Sequence, residues 1–218
     1  MENILYKPFE HWFHGGSVYF YSDPHFGDKD MLKIRGVSDA EQLKRINSVL
    51  GKNDTIVLCG DIGDISWVRK IRGYKVLIMG NHDKGRTKYL RNITQFAIPP
   101  ENIDYYPSEC VVKKVDYNGA LIITYDNKLF DEVYEGVLTI SDKIVLSHEP
   151  IAVPHMVNIH GHVHTHKSEG INVCAEQINY TPVSLKTLIK NGAFSKVISI
   201  HRETIDAAAE RKAKRTAK

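Results

Sequence analysis

The chain has 218 residues, enough for one domain with a hydrophobic core and too few for two of ordinary size. Hydrophobic residues make up 42% and charged residues 25%, which excludes a disordered or fibrous class, and no apolar run approaches the roughly 20 residues that cross a bilayer. The formal charge of +3 is carried by the C-terminal stretch, where Arg202, Arg211, Lys212, Lys214, Arg215 and Lys218 outnumber Glu203, Asp206 and Glu210. The body is neutral, which argues against a broad basic face committed to nucleic acid but leaves room for a local patch. The opening residues, with Glu2, Asn3, Lys7 and Glu10, are unlike a secretory signal, so a cytoplasmic location without membrane attachment is the expectation. Cys59, Cys110 and Cys174 lie far apart and form no Cys-x-x-Cys pair, so they read as small buried filler rather than a disulfide or zinc framework.

In chain order, short β-branched runs predict strands at 17–22, 55–59, 75–79, 111–115, 121–124, 143–147 and 197–201. Helical patterns fall at 39–50 after a Ser38 cap, at 66–72 closed by Gly73, and at 182–190 opened by Thr181 and closed near Gly192. The early strands alternate with helices, while the runs at 111–115 and 121–124 predict an antiparallel hairpin turning at Asn118-Gly119. The expected class is therefore α/β with both parallel and antiparallel strands. One domain is expected over 1–200, followed by a basic, solvated tail over 201–218.

Metal-type residues gather just past the strand runs. They are Asp23 and His25, Asp61 and Asp64, Asn81, His82 and Asp83, His148, and His162 and His164. Ligands of α/β sheets bind beyond the carboxyl ends of strands, so segments distant in sequence can meet in one pocket there. Alone, an Asp-x-His or a Gly-Asp after a strand is ordinary turn chemistry. Together, five such segments supply carboxylates, imidazoles and one amide, a mixed nitrogen and oxygen set suited to divalent transition metals. Gly60, Gly80 and Gly161 each precede one of these residues, where the backbone must turn sharply or approach the site closely.

The ordered set Asp-x-His, Gly-Asp-x-x-Asp, Gly-Asn-His-Asp, a His after a strand, and Gly-His-x-His resembles the calcineurin-like metallophosphoesterase superfamily. The motifs run from Asp23 to His164. The resemblance implies two mixed β-sheets packed as a sandwich and flanked by helices. It implies one metal on Asp23, His25 and His164, a second on Asn81, His148 and His162, and Asp61 between them. It also implies that His82 meets the leaving group with Asp64 hydrogen-bonded to it. Two cations about 3.5–4 Å apart can share a hydroxide and brace a phosphoryl group during in-line displacement.

The implied activity is metal-dependent hydrolysis of a small phosphomonoester or phosphodiester. Manganese is the first expectation for the two ions, and Fe, Zn, Ni and Co also suit the donor set. Phe26 after His25, and Ile65 after Asp64, depart from the protein-phosphatase pattern and disfavour that branch. A nuclease is the next alternative, and a non-catalytic protein-binding scaffold of the same fold a more remote one. Lys84 and Arg86 are candidates to hold a substrate phosphate, whereas His155, His160 and His166 read as supporting or surface residues because the implied ligand set is already full.

Overall fold

Parallel neighbours cannot be joined by a tight hairpin, and the first third of the chain shows the consequence. In the computed structural model, which describes residues 4–83, 96–98, 110–115, 121–125, 129–197 and the isolated positions 207, 209 and 212, strands β1 (Val18–Tyr21), β2 (Thr55–Leu58) and β3 (Tyr74–Ile78) pair in parallel. The connection from β1 to β2 carries α1 (Lys29–Arg35) and α2 (Asp39–Val49). Asp28 starts α1 by accepting from the amides of Asp30 and Met31, and Ser38 starts α2 by accepting from that of Glu41. Between β2 and β3 the expected helix is a shorter 3-10 segment, Ile65–Lys70, begun by Asp64 accepting from Ser66 N.

Strand β7 (Glu132–Tyr134) extends this sheet in parallel beside β3, and β12 (Val183–Ser184) closes its other edge antiparallel to β1, giving the order β12-β1-β2-β3-β7. Helix α3 (Leu185–Lys190) consequently begins later than its sequence pattern predicts, with Ser184 rather than Thr181 as its cap, because residues 183 and 184 are drawn into pairing with β1. A second sheet holds β8 (Leu138–Thr139), β9 (Ile144–Leu146), β10 (Val157–His160) and β11 (Ile171–Asn172) in the order β11-β10-β9-β8, antiparallel only between β8 and β9. A third, antiparallel sheet contains β4 (Phe96–Ile98), β5 (Cys110–Val115) and β6 (Leu121–Tyr125). The predicted hairpin is this β5–β6 pair, and its turn lies outside the described residues. Val197 is not in a strand, and the rest of the strand expected there, like most of the basic tail, lies outside them too.

Side chains on β1, β2 and β3 alternate between two buried layers, as a period of two demands. Tyr21, Ile56, Leu58 and Leu77 pack with Ile46, Leu50 and Val68 beneath α2 and the 3-10 segment. Phe20, Val57, Val76 and Ile78 pack instead against Ile144, Leu146 and Ile159 of the second sheet. The arrangement is thus a sandwich of two mixed sheets with helices outside, as the resemblance implies. Among the described residues no helix is long and apolar enough to cross a membrane.

Candidate metal centre

The carboxyl ends of β1, β2 and β3 and those of β9 and β10 open onto one place. Backbone bonds fix the register there: Asp23 N donates to Gly60 O at 3.1 Å, His25 N to Asp61 O at 3.0 Å, and Gly161 N to His148 O at 2.9 Å. Ser22 N donates to Val173 O and Ala175 N to Ser22 O, which ties the end of β1 to the segment following β11. Asp83, fully buried, accepts from the amides of Gly80, Asp61 and Ile62 at 3.0, 2.7 and 3.2 Å, locking the loops after β2 and β3 together.

All seven residues expected as ligands meet at these loops. His25 Nε2 stands 3.7 Å from Asp23 Oδ1 and 3.8 Å from Asp61 Oδ2, and His164 Nε2 lies 3.9 Å from Asp23 Oδ1. On the other side of Asp61, His148 Nε2 is 3.4 Å from Oδ2 and 2.7 Å from Asn81 Oδ1, and His162 Nδ1 is 3.1 Å from the same amide oxygen. Separations of 3.4–3.9 Å are too long for hydrogen bonds. They are close to the roughly 3–3.5 Å that separates two donors each about 2.0–2.2 Å from a shared cation. Asp61 belongs to both groups, with ligand atoms within 4.8 Å of one another in Asp23, His25 and Asp61 and again in Asp61, His148 and His162.

Two atoms decide whether a cation fits. Asp23 Oδ1 and His25 Nε2 are buried and have no hydrogen-bond partner. Unpaired polar atoms inside a protein are costly, and these two lie 3.7 Å apart, so a divalent cation between them would supply what they lack. The remaining donor atoms are held ready. His148 Nδ1 bonds Cys59 O at 2.8 Å and His164 Nδ1 bonds Glu176 Oε1 at 3.1 Å, leaving Nε2 of each ring turned to the cluster. Asp23 Oδ2 accepts from His162 N at 2.9 Å and from the Cys174 thiol at 3.3 Å, which leaves Oδ1 bare.

Electrostatics point the same way. Burial works against ionisation of Asp23, but the His25 imidazole, the positive field of His148, the Ser22 hydroxyl and the His162 amide outweigh it and hold the carboxyl well below the usual range. Burial of Asp61 is likewise outweighed, by His148 and by the His82 amide, so its carboxyl is also lowered. Both side chains are therefore anionic at neutral pH, as ligands must be. The backbone is strained where these residues sit. Asp23, His25, Asp61, His162 and His164 have φ of 55°, 47°, 54°, 69° and 48°, in the left-handed region that side chains other than glycine seldom adopt. Strain of this kind concentrates where geometry serves function. At Gly161 a Cβ would collide with Ser22 Oγ and Asp23 Oδ2, so the close approach of that loop to Asp23 requires glycine.

A model of the calcineurin-like phosphoesterase family matches residues 16–182. The chain belongs to this family. Gene 66 protein of Mycobacterium phage L5 is 35% identical over 31% of this chain and 40% of its own length, so the chain spans under half of that relative. The uncharacterised protein MJ1445 of Methanocaldococcus jannaschii is 26% identical over 79% of this chain and 89% of its own. A solved structure from Aquifex aeolicus, the protein of unknown function AQ665, shares the fold with a TM-score of 0.51 and 23% identity, covering 80% of this chain and 98% of that one. The family is one of phosphoesterases, and the clustered Asp and His side chains are candidate ligands for a metal ion.

One expectation about an individual pair of residues meets a different geometry. Asp64 is not hydrogen-bonded to His82. Its carboxylate accepts from Ser66 N and Ser66 Oγ, both at 2.9 Å, because it is occupied in starting the 3-10 segment. His82, whose side chain is 65% exposed, has Asp61 Oδ2 as its carboxylate neighbour at 3.9 Å, and its amide donates to Asp61 Oδ1 at 2.9 Å. Lys84 and Arg86 lie outside the described residues. His160 is buried between the carbonyls of Gly161 and Glu169, at 2.9 and 3.0 Å, and braces the loop that bears His162 and His164. His166 is exposed with Nδ1 at 3.2 Å from Val163 O, and neither it nor His155 belongs to a ligand cluster among the described residues.

Sequence reasoning passed over three residues. Glu176 accepts from His164 and from Arg35 Nε, the latter at 2.7 Å. Arg35, its side chain only 2% exposed, also donates to the carbonyls of Asp23 and Pro24 at 2.8 Å. Cys174, read as filler, touches Asp23 and forms a group with it and His164. No spacing marks them, since α1 and the segment after β11 carry no motif; only Asp83, inside Gly-Asn-His-Asp, had a signal that was available.

Proposed function

We propose that this phosphoesterase hydrolyses a small phosphomonoester or phosphodiester at a pair of divalent cations, manganese first among them. In this reading Asp23, His25 and His164 hold one cation, Asn81, His148 and His162 hold the other, and Asp61 serves both. The carrying observation is the pair of buried, partnerless atoms, Asp23 Oδ1 and His25 Nε2, 3.7 Å apart. Two cations held by these residues would supply activated water at neutral pH and offset charge on the transferring phosphoryl group.

The chain's own residues do the rest. Cys59 O and Glu176 fix the tautomers of His148 and His164, so each presents Nε2 inward. Asn81 contributes an oxygen without charge, and Asp61 contributes two oxygens where two positive charges must approach. His82 is exposed beside Asp61, so its ring can reach a leaving oxygen and protonate it without serving as a ligand. The test is a screen of phosphomonoesters, linear and cyclic diesters and oligonucleotides, with the protein stripped by chelation and reloaded with single metals. Hydrolysis of a small ester that returns with added Mn²⁺ is expected. Turnover confined to oligonucleotides would make the protein a nuclease, and full activity in the stripped protein would remove the proposal.

A further inference from the structure

Beside the Asn81 and His148 face of the cluster lies an open cleft of about 170 Å³. Its far wall is apolar, made by Met79 at the end of β3, Val137 in the turn between β7 and β8, and Ile151 after β9. Val137 is 55% exposed, an apolar side chain presented to whatever enters. The polar groups there are spoken for or negative: Ser147 Oγ donates to Glu149 O at 2.6 Å and accepts from Asn158 Nδ2 at 2.8 Å. Glu149 is exposed at the same rim, and no Lys or Arg lines the cleft among the described residues.

We propose that this cleft receives an uncharged, ring-sized organic group of the phosphoester, and that it selects such esters over substrates carrying a second phosphate. The inference rests on the phosphoesterase reading above and adds the substrate class. Three arguments carry it. Asn81 and His148 are shared between the cleft and the cation cluster, so a phosphoryl group at the cations directs its substituent here. The volume is comparable with the roughly 150 Å³ that admits a benzene ring in an apolar cavity. A second phosphate placed here would stand beside the Glu149 carboxylate with no Lys or Arg among the described residues that line the cleft, an arrangement that costs binding.

Calorimetric titration of the Mn²⁺-loaded protein with methylphosphonate, phenylphosphonate and methylenediphosphonate tests this without requiring turnover. Phenylphosphonate should bind about tenfold more tightly than methylphosphonate, the gain from burying part of one ring. Val137→Trp, at an exposed position, should fill the cleft and bring that ratio near one. Glu149→Lys should instead raise the affinity for methylenediphosphonate severalfold, which keeps the test decisive should the tryptophan variant fold poorly. Equal binding of methyl and phenyl compounds by the wild type, or an unchanged ratio in Val137→Trp together with an unchanged methylenediphosphonate affinity in Glu149→Lys, would overturn the cleft assignment and leave the phosphoesterase reading standing. Binding of none of the three by metal-loaded protein would overturn both.

Discussion

The carboxylate of Glu176 offers a way to separate charge from geometry in the support of His164. One oxygen, Oε1, receives both His164 Nδ1 at 3.1 Å and Arg35 Nε at 2.7 Å, while Oε2 is buried without a partner. Glu176→Gln can therefore keep both bonds through its amide oxygen and lose only the charge. Glu176→Ala loses both bonds and leaves Arg35, 2% exposed, holding only the carbonyls of Asp23 and Pro24. Removing the partner of a metal-bound histidine generally costs about 10–100-fold in metal affinity, or about 1.4–2.8 kcal/mol. The alanine variant should fall in that range and the glutamine variant at about tenfold or less. Competition between the protein and a chromophoric chelator, with circular dichroism to confirm folding, gives both numbers. A folded Glu176→Ala protein with wild-type affinity would refute the reasoning, because His164 would then need no orienting group.

Gly161→Ala should lose about 2–4 kcal/mol of stability together with metal occupancy, since its Cβ would displace Ser22 Oγ and Asp23 Oδ2; thermal unfolding and elemental analysis check this, and a wild-type result in both contradicts it. His82→Ala should retain metal while turnover falls by roughly 10²–10⁴-fold, the loss shrinking for esters with a nitrophenolate leaving group. Asp64→Asn, by contrast, should leave turnover nearly intact, because Asp64 starts the 3-10 segment rather than orienting His82 and Asn is an equally good cap. At the far edge of the first sheet, burial alone would raise the Glu132 carboxyl, but bonds from Tyr134, His11, Tyr74 and Trp12 outweigh it and hold it below its ordinary value. A lowered folded value means the stability is present above the unfolded carboxyl pKa, about 4.3, and is lost as pH falls through the folded one. Glu132→Gln should therefore cost about 1–3 kcal/mol at pH 7 in urea unfolding and progressively less below pH 4, and a pH-independent difference would count against it.

What the sequence carried is clearest at the strand ends. β1, β2, β3 and β9 announce themselves as runs of β-branched and aromatic residues, and the residues after them, from Asp23 to His148, fall together because parallel strands deliver their carboxyl ends to one side. Two-residue strands such as β11 and β12 have no periodicity to read, and pairing with a neighbour rather than local preference makes Val183–Ser184 a strand. Nothing local marks Arg35 or Glu176 either. An arginine on a short helix and a glutamate in a turn become part of the site only when the end of β1 is pinned against the segment after β11. Asp64 shows the converse, a residue whose motif position implied one partner and whose backbone setting, at the start of a 3-10 turn, gave it another.

Anomalous diffraction from crystals grown with Mn²⁺ tests the cation pair most directly. Two peaks are predicted, one among Asp23, His25, Asp61 and His164 and one among Asp61, Asn81, His148 and His162, with Asp61 adjoining both. Manganese bound elsewhere, with no density between Asp23 Oδ1 and His25 Nε2, would contradict the assignment of these residues as ligands.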